Sequence, residues 1–79
     1  MQKIKVTQMI QSKLNEVKTI EQKKLDNYYG VGVYNVIFGK LYRSGGHLKV
    51  QVATERVLDN EDMDFYCIYN LNTMEKKAL

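Results

Sequence analysis

The hydrophobic period of this chain changes once, at Gly30, and nothing else in its 79 residues constrains the fold as tightly. Up to that point apolar side chains recur with helical spacing. Val6, Met9, Ile10, Leu14, Val17, Ile20 and Leu25 share one broad face, and Gln8, Asn15, Thr19, Gln22 and Asp26 lie opposite. The spacing predicts a helix over residues 7–26. Thr7 is the expected N-cap, because its hydroxyl can accept from a free first-turn amide, and Asn27 and Gly30 supply the stop. Lys13 and Lys24 fall beside the stripe and have to run their stems along its edge.

Beyond Gly30 the alternation becomes twofold. Residues 31–42, 47–58 and 65–71 are rich in Val, Ile, Tyr and Phe and are separated by RSGG and DNEDMD, which predicts three antiparallel strands. The tail NTMEKKAL predicts a short C-terminal helical turn, with Asn72 as cap and Glu75 three residues on. The expected fold class is α+β: one N-terminal amphipathic helix packed on a three-stranded antiparallel β-sheet, in the order α-β-β-β, as a single domain over 1–79. There is no Pro, repeat or low-complexity tract to mark a linker.

One helix covers one sheet face, so the other face carries the functional information. The middle strand alternates cleanly, with Leu48, Val50 and Val52 against His47, Lys49, Gln51 and Glu55. The first strand sets Val31, Val33, Ile37 and Leu41 against Tyr34, Val36, Phe38 and Tyr42. The third sets Phe65, Cys67, Tyr69 and Leu71 against Tyr66 and Ile68. With an even-numbered hairpin loop such as 43–46, Ile37 and Leu41 join Val50 and Val52 beneath the helix. The open face then carries Tyr34, Phe38 and Tyr42 beside Lys40, His47, Lys49 and Gln51, with Lys40 directly opposite Lys49, a repulsive pair. With a three-residue loop, 44–46, the faces exchange and Val31, Val33, Ile37 and Leu41 are left open. Either register exposes an apolar surface that calls for a partner.

Charge is mildly basic, net +3, and the excess lies in the first 30 residues, where six Lys face Glu16, Glu21 and Asp26. A solvated helix face accounts for that bias. A single cysteine, Cys67, permits no internal disulfide and points to a reducing compartment, and no apolar stretch is long enough for a signal peptide or membrane span. The expectation is a cytoplasmic protein.

No catalytic or metal motif stands up. Gly30-Val31-Gly32 has Asn35 where a dinucleotide fingerprint needs its third Gly, and it enters a strand rather than a helix. Gly39-Lys40 is followed by Leu41 where a phosphate loop needs Ser or Thr. Cys67 and His47 are the familiar nucleophile and base types, but no spacing joins them and no third group orients them. The connector DNEDMD does not match a calcium-binding loop, which has a Gly at its sixth position and a Glu at its twelfth. The expectation is a non-enzymatic protein without metal or cofactor.

Two functions follow. The first is a small protein-binding module, for another protein or for itself as a homodimer. It would use Tyr34, Phe38 and Tyr42, the basic hairpin Lys40, Arg43, His47 and Lys49, and the acidic residues Asp59, Glu61, Asp62 and Asp64, with Tyr favoured at interfaces for its rigid amphipathic ring. In size, composition and helix-plus-sheet outline the chain resembles compact accessory proteins of bacteriophages and mobile elements, including anti-CRISPR proteins. That resemblance implies inhibition of a host defence protein by occupying its surface. The second function is nucleic-acid binding, with the four basic hairpin residues on phosphates and the aromatics stacking on bases. The order helix, strand, strand, strand, helix is similar to that of double-stranded-RNA-binding domains.

Overall fold

The computed structural model describes residues 4–58 and 64–79. Among these residues a single helix, α1 (Gln8–Tyr29), packs on one face of a four-stranded antiparallel sheet whose strands lie in chain order: β1 (Tyr34–Ser44), β2 (His47–Arg56), β3 (Asp64–Asn70) and β4 (Lys76–Ala78). The α+β expectation of one helix on an antiparallel meander holds, with a fourth strand added.

The helix starts as its sequence demands. Thr7 Oγ1 accepts from the Ile10 amide at 3.2 Å, and Gly30, at φ 102°, donates its amide to the Asp26 carbonyl and is the stop, so the helix runs to Tyr29 rather than to residue 26. The buried stripe is narrower than the expected one. Ile10, Leu14, Val17 and Leu25 face the sheet, but Val6, Met9 and Ile20 are exposed, and Glu21, which the expected stripe did not include, is buried with it. Lys13 does reach over the stripe's edge, donating from Nζ to the Leu71 carbonyl at 2.7 Å.

The β1–β2 loop is two residues long. Gly45 and Gly46 both have positive φ, 59° and 80°, and Ser44 pairs with His47, the mirror-image turn whose twist matches a hairpin. Tyr42 rather than Lys40 therefore stands opposite Lys49, and the expected Lys40–Lys49 repulsion does not arise.

Two bulges then reassign the faces. Leu41 pairs with Val50, but Phe38 pairs with Val52, so Gly39 and Lys40 together oppose Gln51. Val36 and Phe38 thereby turn to the helix side and Ile37 to the open side, as the three-residue-loop alternative had it, while Leu41 stays on the helix side with Val50, as the even-loop alternative had it. On β3, Cys67 pairs with Val52 and Phe65 with Ala53, which leaves Tyr66 as the extra residue. Tyr66 joins Cys67 and Tyr69 on the helix side, and Phe65 goes to the open side. The core that results contains Leu14, Val17, Val36, Leu48, Val50, Val52, Cys67, Tyr69 and Leu71, with Phe38 and Leu41 packed against it.

The strands are also shorter at one end than expected. Val31 and Val33 lie in the turn before β1, and Val57 and Leu58 follow the end of β2, exposed to solvent. The expected C-terminal helical turn is instead a strand. Asn70 Oδ1 accepts from the amides of Asn72 and Thr73 at 2.9 and 3.2 Å, and Met74 takes φ 61°, so the chain reverses and β4 pairs with β3. Asn72 is not a helix cap; its Oδ1 accepts from the Leu48 amide at 2.7 Å.

Candidate interaction surface

The uncovered sheet face is built by the residues that the pairing register turns away from α1. Asn35 and Ile37 of β1, Gln51, Ala53 and Glu55 of β2, and Phe65 and Ile68 of β3 alternate outward, with Lys77 at the β4 edge. Near the hairpin tip the same face carries Tyr42 paired with Lys49 and, one pair further, Ser44 with His47. The centre is apolar and the tip end is basic.

Phe65 organises that centre. A Cβ placed on Gly39 would lie 2.3 Å from Phe65 Cε1, so the ring reaches from β3 across β2 onto the bulge glycine of β1. Beneath it Ala53 is 0% exposed although it belongs to the uncovered face, while Phe65 itself remains 42% exposed. A glycine in a strand opposite an aromatic ring is a known way of pinning register. At the tip end a cavity of 320 Å³ is lined by Tyr42, Lys49, Ile68, Asn70 and Lys77 among others.

The sequence-chosen residues are divided between the two faces. Tyr42, His47 and Lys49 share the open face, and Lys40 lies exposed in the bulge with its amide bonded to Gln51 Oε1 at 3.1 Å. Arg43 pairs with Leu48, on the helix side of the sheet but exposed at the tip. Tyr34 and Phe38 are on the helix side: the Tyr34 ring sits 4.7 Å from that of Tyr29, and Phe38 packs against the core. Expecting Tyr34, Phe38 and Tyr42 on one open face required an unbroken alternation, which the Gly39–Lys40 bulge interrupts. Asp64 is exposed at the start of β3, and Asp59, Glu61 and Asp62 fall outside the described residues. His47 and Cys67 lie on opposite faces of the sheet, His47 Nδ1 2.8 Å from Asn70 Nδ2 and Cys67 buried under α1.

On the helix side the unexpected feature is Glu21. Its carboxylate, on a side chain 2% exposed, accepts from Tyr69 Oη at 2.6 Å, Tyr66 Oη at 2.9 Å and Lys76 Nζ at 3.2 Å, with Lys24 Nζ at 3.4 Å. Burial works against its ionisation, but the hydrogen bonds from Tyr69, Tyr66 and Lys76 prevail and hold its carboxyl below the ordinary range. The partners respond in kind. Burial and then the Glu21 carboxylate raise the phenols of Tyr66 and Tyr69, and burial with the Glu21 charge raises the Cys67 thiol, which keeps it protonated.

Two sequence signals pointed to these features. An isolated glycine inside a strand pattern, Gly39, marks a bulge, and a carboxylate spaced with Leu14, Val17 and Leu25 on the helix stripe marks a buried charge that needs donors. No helix among the described residues is long and apolar enough to cross a membrane. No protein-family model, no curated protein and no solved structure matches the chain.

Proposed function

We propose that this protein is a small non-enzymatic binding module that works in a reducing compartment by occupying the surface of another protein, in the manner of phage and mobile-element inhibitors. The observation that carries this reading is the uncovered sheet face, where Ile37, Phe65 and Ile68 form an apolar centre beside Tyr42, bordered by Lys49 and Lys77. Apolar centre, aromatic ring and charged rim are the anatomy of a protein contact. The face is laid out by two ladders and by the Phe65–Gly39 contact, so binding to it would need little backbone rearrangement. The acidic residues Asp59, Glu61 and Asp62 would favour a partner surface of basic character.

Affinity capture from native lysate, with and without nuclease, tests the reading when wild type is compared with Ile68→Glu. A partner that is retained after nuclease and lost with Ile68→Glu is the expected result. Capture that disappears with nuclease, or that is indifferent to Ile68→Glu, overturns it.

Nucleic-acid binding is favoured by one observation, the placing of Lys49 and Lys77 with Tyr42 in the lining of the tip-end cavity, although Glu75 also lines it and the Lys76 ammonium there is held by Glu21. Against it, Tyr34 and Phe38 face the helix and leave Tyr42 without neighbouring stacking rings, and β4 replaces the last helix of the double-stranded-RNA-binding order. Steep loss of oligonucleotide binding with salt would support this second reading.

A further inference from the structure

At the end of the sheet remote from the hairpin tip, on the helix side, Leu25, Tyr29, Tyr34, Thr54, Asp64 and Tyr66 line a cavity of 370 Å³. Four elements contribute: the last turns of α1 supply Leu25 and Tyr29, and β1, β2 and β3 supply the rest. The Tyr29 and Tyr34 rings meet at 58° with centroids 4.7 Å apart, so they form two walls of an angle rather than a stack.

The chemistry of this lining is one-sided. Three phenol rings, whose faces carry a negative quadrupole, line it with the Asp64 carboxylate, and neither Lys nor Arg is among the described lining residues. The matching ligand is a cation, and one that sheds water easily. Tyr66 already shows the interaction on a small scale, with Lys76 Nζ 5.9 Å from its ring centroid. Of the nearby cations, Lys24 and Lys76 line the adjoining cavity and each lies within 3.4 Å of Glu21, and Arg56, the strand neighbour of Tyr34, is not among the described lining residues.

We propose that this cavity binds the guanidinium of an arginine side chain presented by a protein partner. A guanidinium is planar and weakly hydrated, stacks on a phenol face, and can give two parallel hydrogen bonds to Asp64, which an ammonium cannot. Leu25 and Thr54 in the lining offer the arginine stem aliphatic carbon to lie along. A second cavity of 320 Å³ shares Leu25, Tyr29 and Tyr66 with the first and reaches Tyr28, which would give the flanking peptide a track. This site lies on the opposite side of the sheet from the proposed protein-contact face, so each stands or fails independently.

The test is an NMR titration of the full chain with a short acetylated peptide centred on Arg, its citrulline counterpart, free arginine and tetramethylammonium chloride. Saturable shifts of the Tyr29, Tyr34 and Tyr66 rings are expected with the Arg peptide, with the neutral citrulline peptide and the Tyr29→Leu variant each weaker by about tenfold. Asp64→Asn is expected to weaken binding by about threefold. Equal affinity for the citrulline peptide would reduce the site to an apolar cleft and overturn the proposal. So would binding of tetramethylammonium without the Arg peptide, or free arginine binding as tightly as the peptide. Tyr29 is half exposed, so Tyr29→Leu tests the ring without risking the fold, and unchanged affinity in that variant is equally fatal.

Discussion

Glu21 shows what a single residue can enforce. A carboxylate in the middle of a helix stripe is costly to bury unless every oxygen is satisfied, and here donors arrive from β3 and β4 as well as from its own helix. The charge thus fixes how α1 sits over β3 and where β4 docks. Replacing it with the isostere, Glu21→Gln, should cost about 2 kcal/mol in urea unfolding, because one oxygen becomes a donor facing donors. The pH dependence follows from the lowered carboxyl. Its stabilising contribution is complete above the ordinary value of 4.5 and is lost as pH falls through the lower folded value, so acid unfolding should flatten in Glu21→Gln relative to wild type. Tyr66 and Tyr69 act at the other extreme. Their raised phenols favour the fold below the ordinary value of 10, and this contribution is lost progressively above it, which phenolate absorbance in Tyr66→Phe against wild type would report. In the sequence Glu21 was one acid among several; its donors, Tyr66, Tyr69 and Lys76, are at least 45 residues away along the chain.

At the scale of elements, β1 is the informative one. It is an edge strand of 11 residues, and long edges invite pairing with other chains. Gln22 covers its first part: the side-chain amide donates to the Tyr34 carbonyl at 2.8 Å and accepts from the Val36 amide at 2.9 Å, the two bonds a neighbouring strand would make. The bulge with Lys40 interrupts the remainder. Gln22→Ala should cost about 1 kcal/mol and accelerate hydrogen exchange at the Val36 amide, whereas an unchanged exchange rate would mean that the edge is protected by other means. Gly39→Ala should displace the Phe65 ring, uncover Ala53 and lower stability by about 1 kcal/mol, with the Phe65 ring resonances reporting the shift. The helix, its N-cap and the Gly30 stop were legible because they depend on local bonding and on one period. The Gly39 bulge carried only its glycine as a mark and the Tyr66 bulge carried none, since where a bulge falls depends on which strand lies beside the one that carries it.

For the whole molecule, the two sheet faces should separate stability from binding. Val52→Ala, at the centre of the core, should cost about 2 kcal/mol, while Ile68→Glu on the uncovered face should cost less than about 1 kcal/mol, both read by thermal unfolding. A large destabilisation by Ile68→Glu would place that residue in the core and remove the open-face argument. The sequence by itself determined the helix and the three longer strands, the helix start and stop, the antiparallel meander and the fact that one face must stay uncovered, because these follow from periodicity, capping and the geometry of one helix on one sheet; it did not determine the fourth strand. Only the tertiary structure decided which residues occupy that face. A two-residue turn at Gly45–Gly46 set the first register, the Gly39–Lys40 and Tyr66 bulges each moved it by one residue, and a one-residue shift turns every following side chain to the other side of the sheet. Phe38 and Tyr66 were thereby drawn into the core and Ile37 and Phe65 sent out of it. Alternation along a strand cannot report that choice, because it is made by the neighbouring strand.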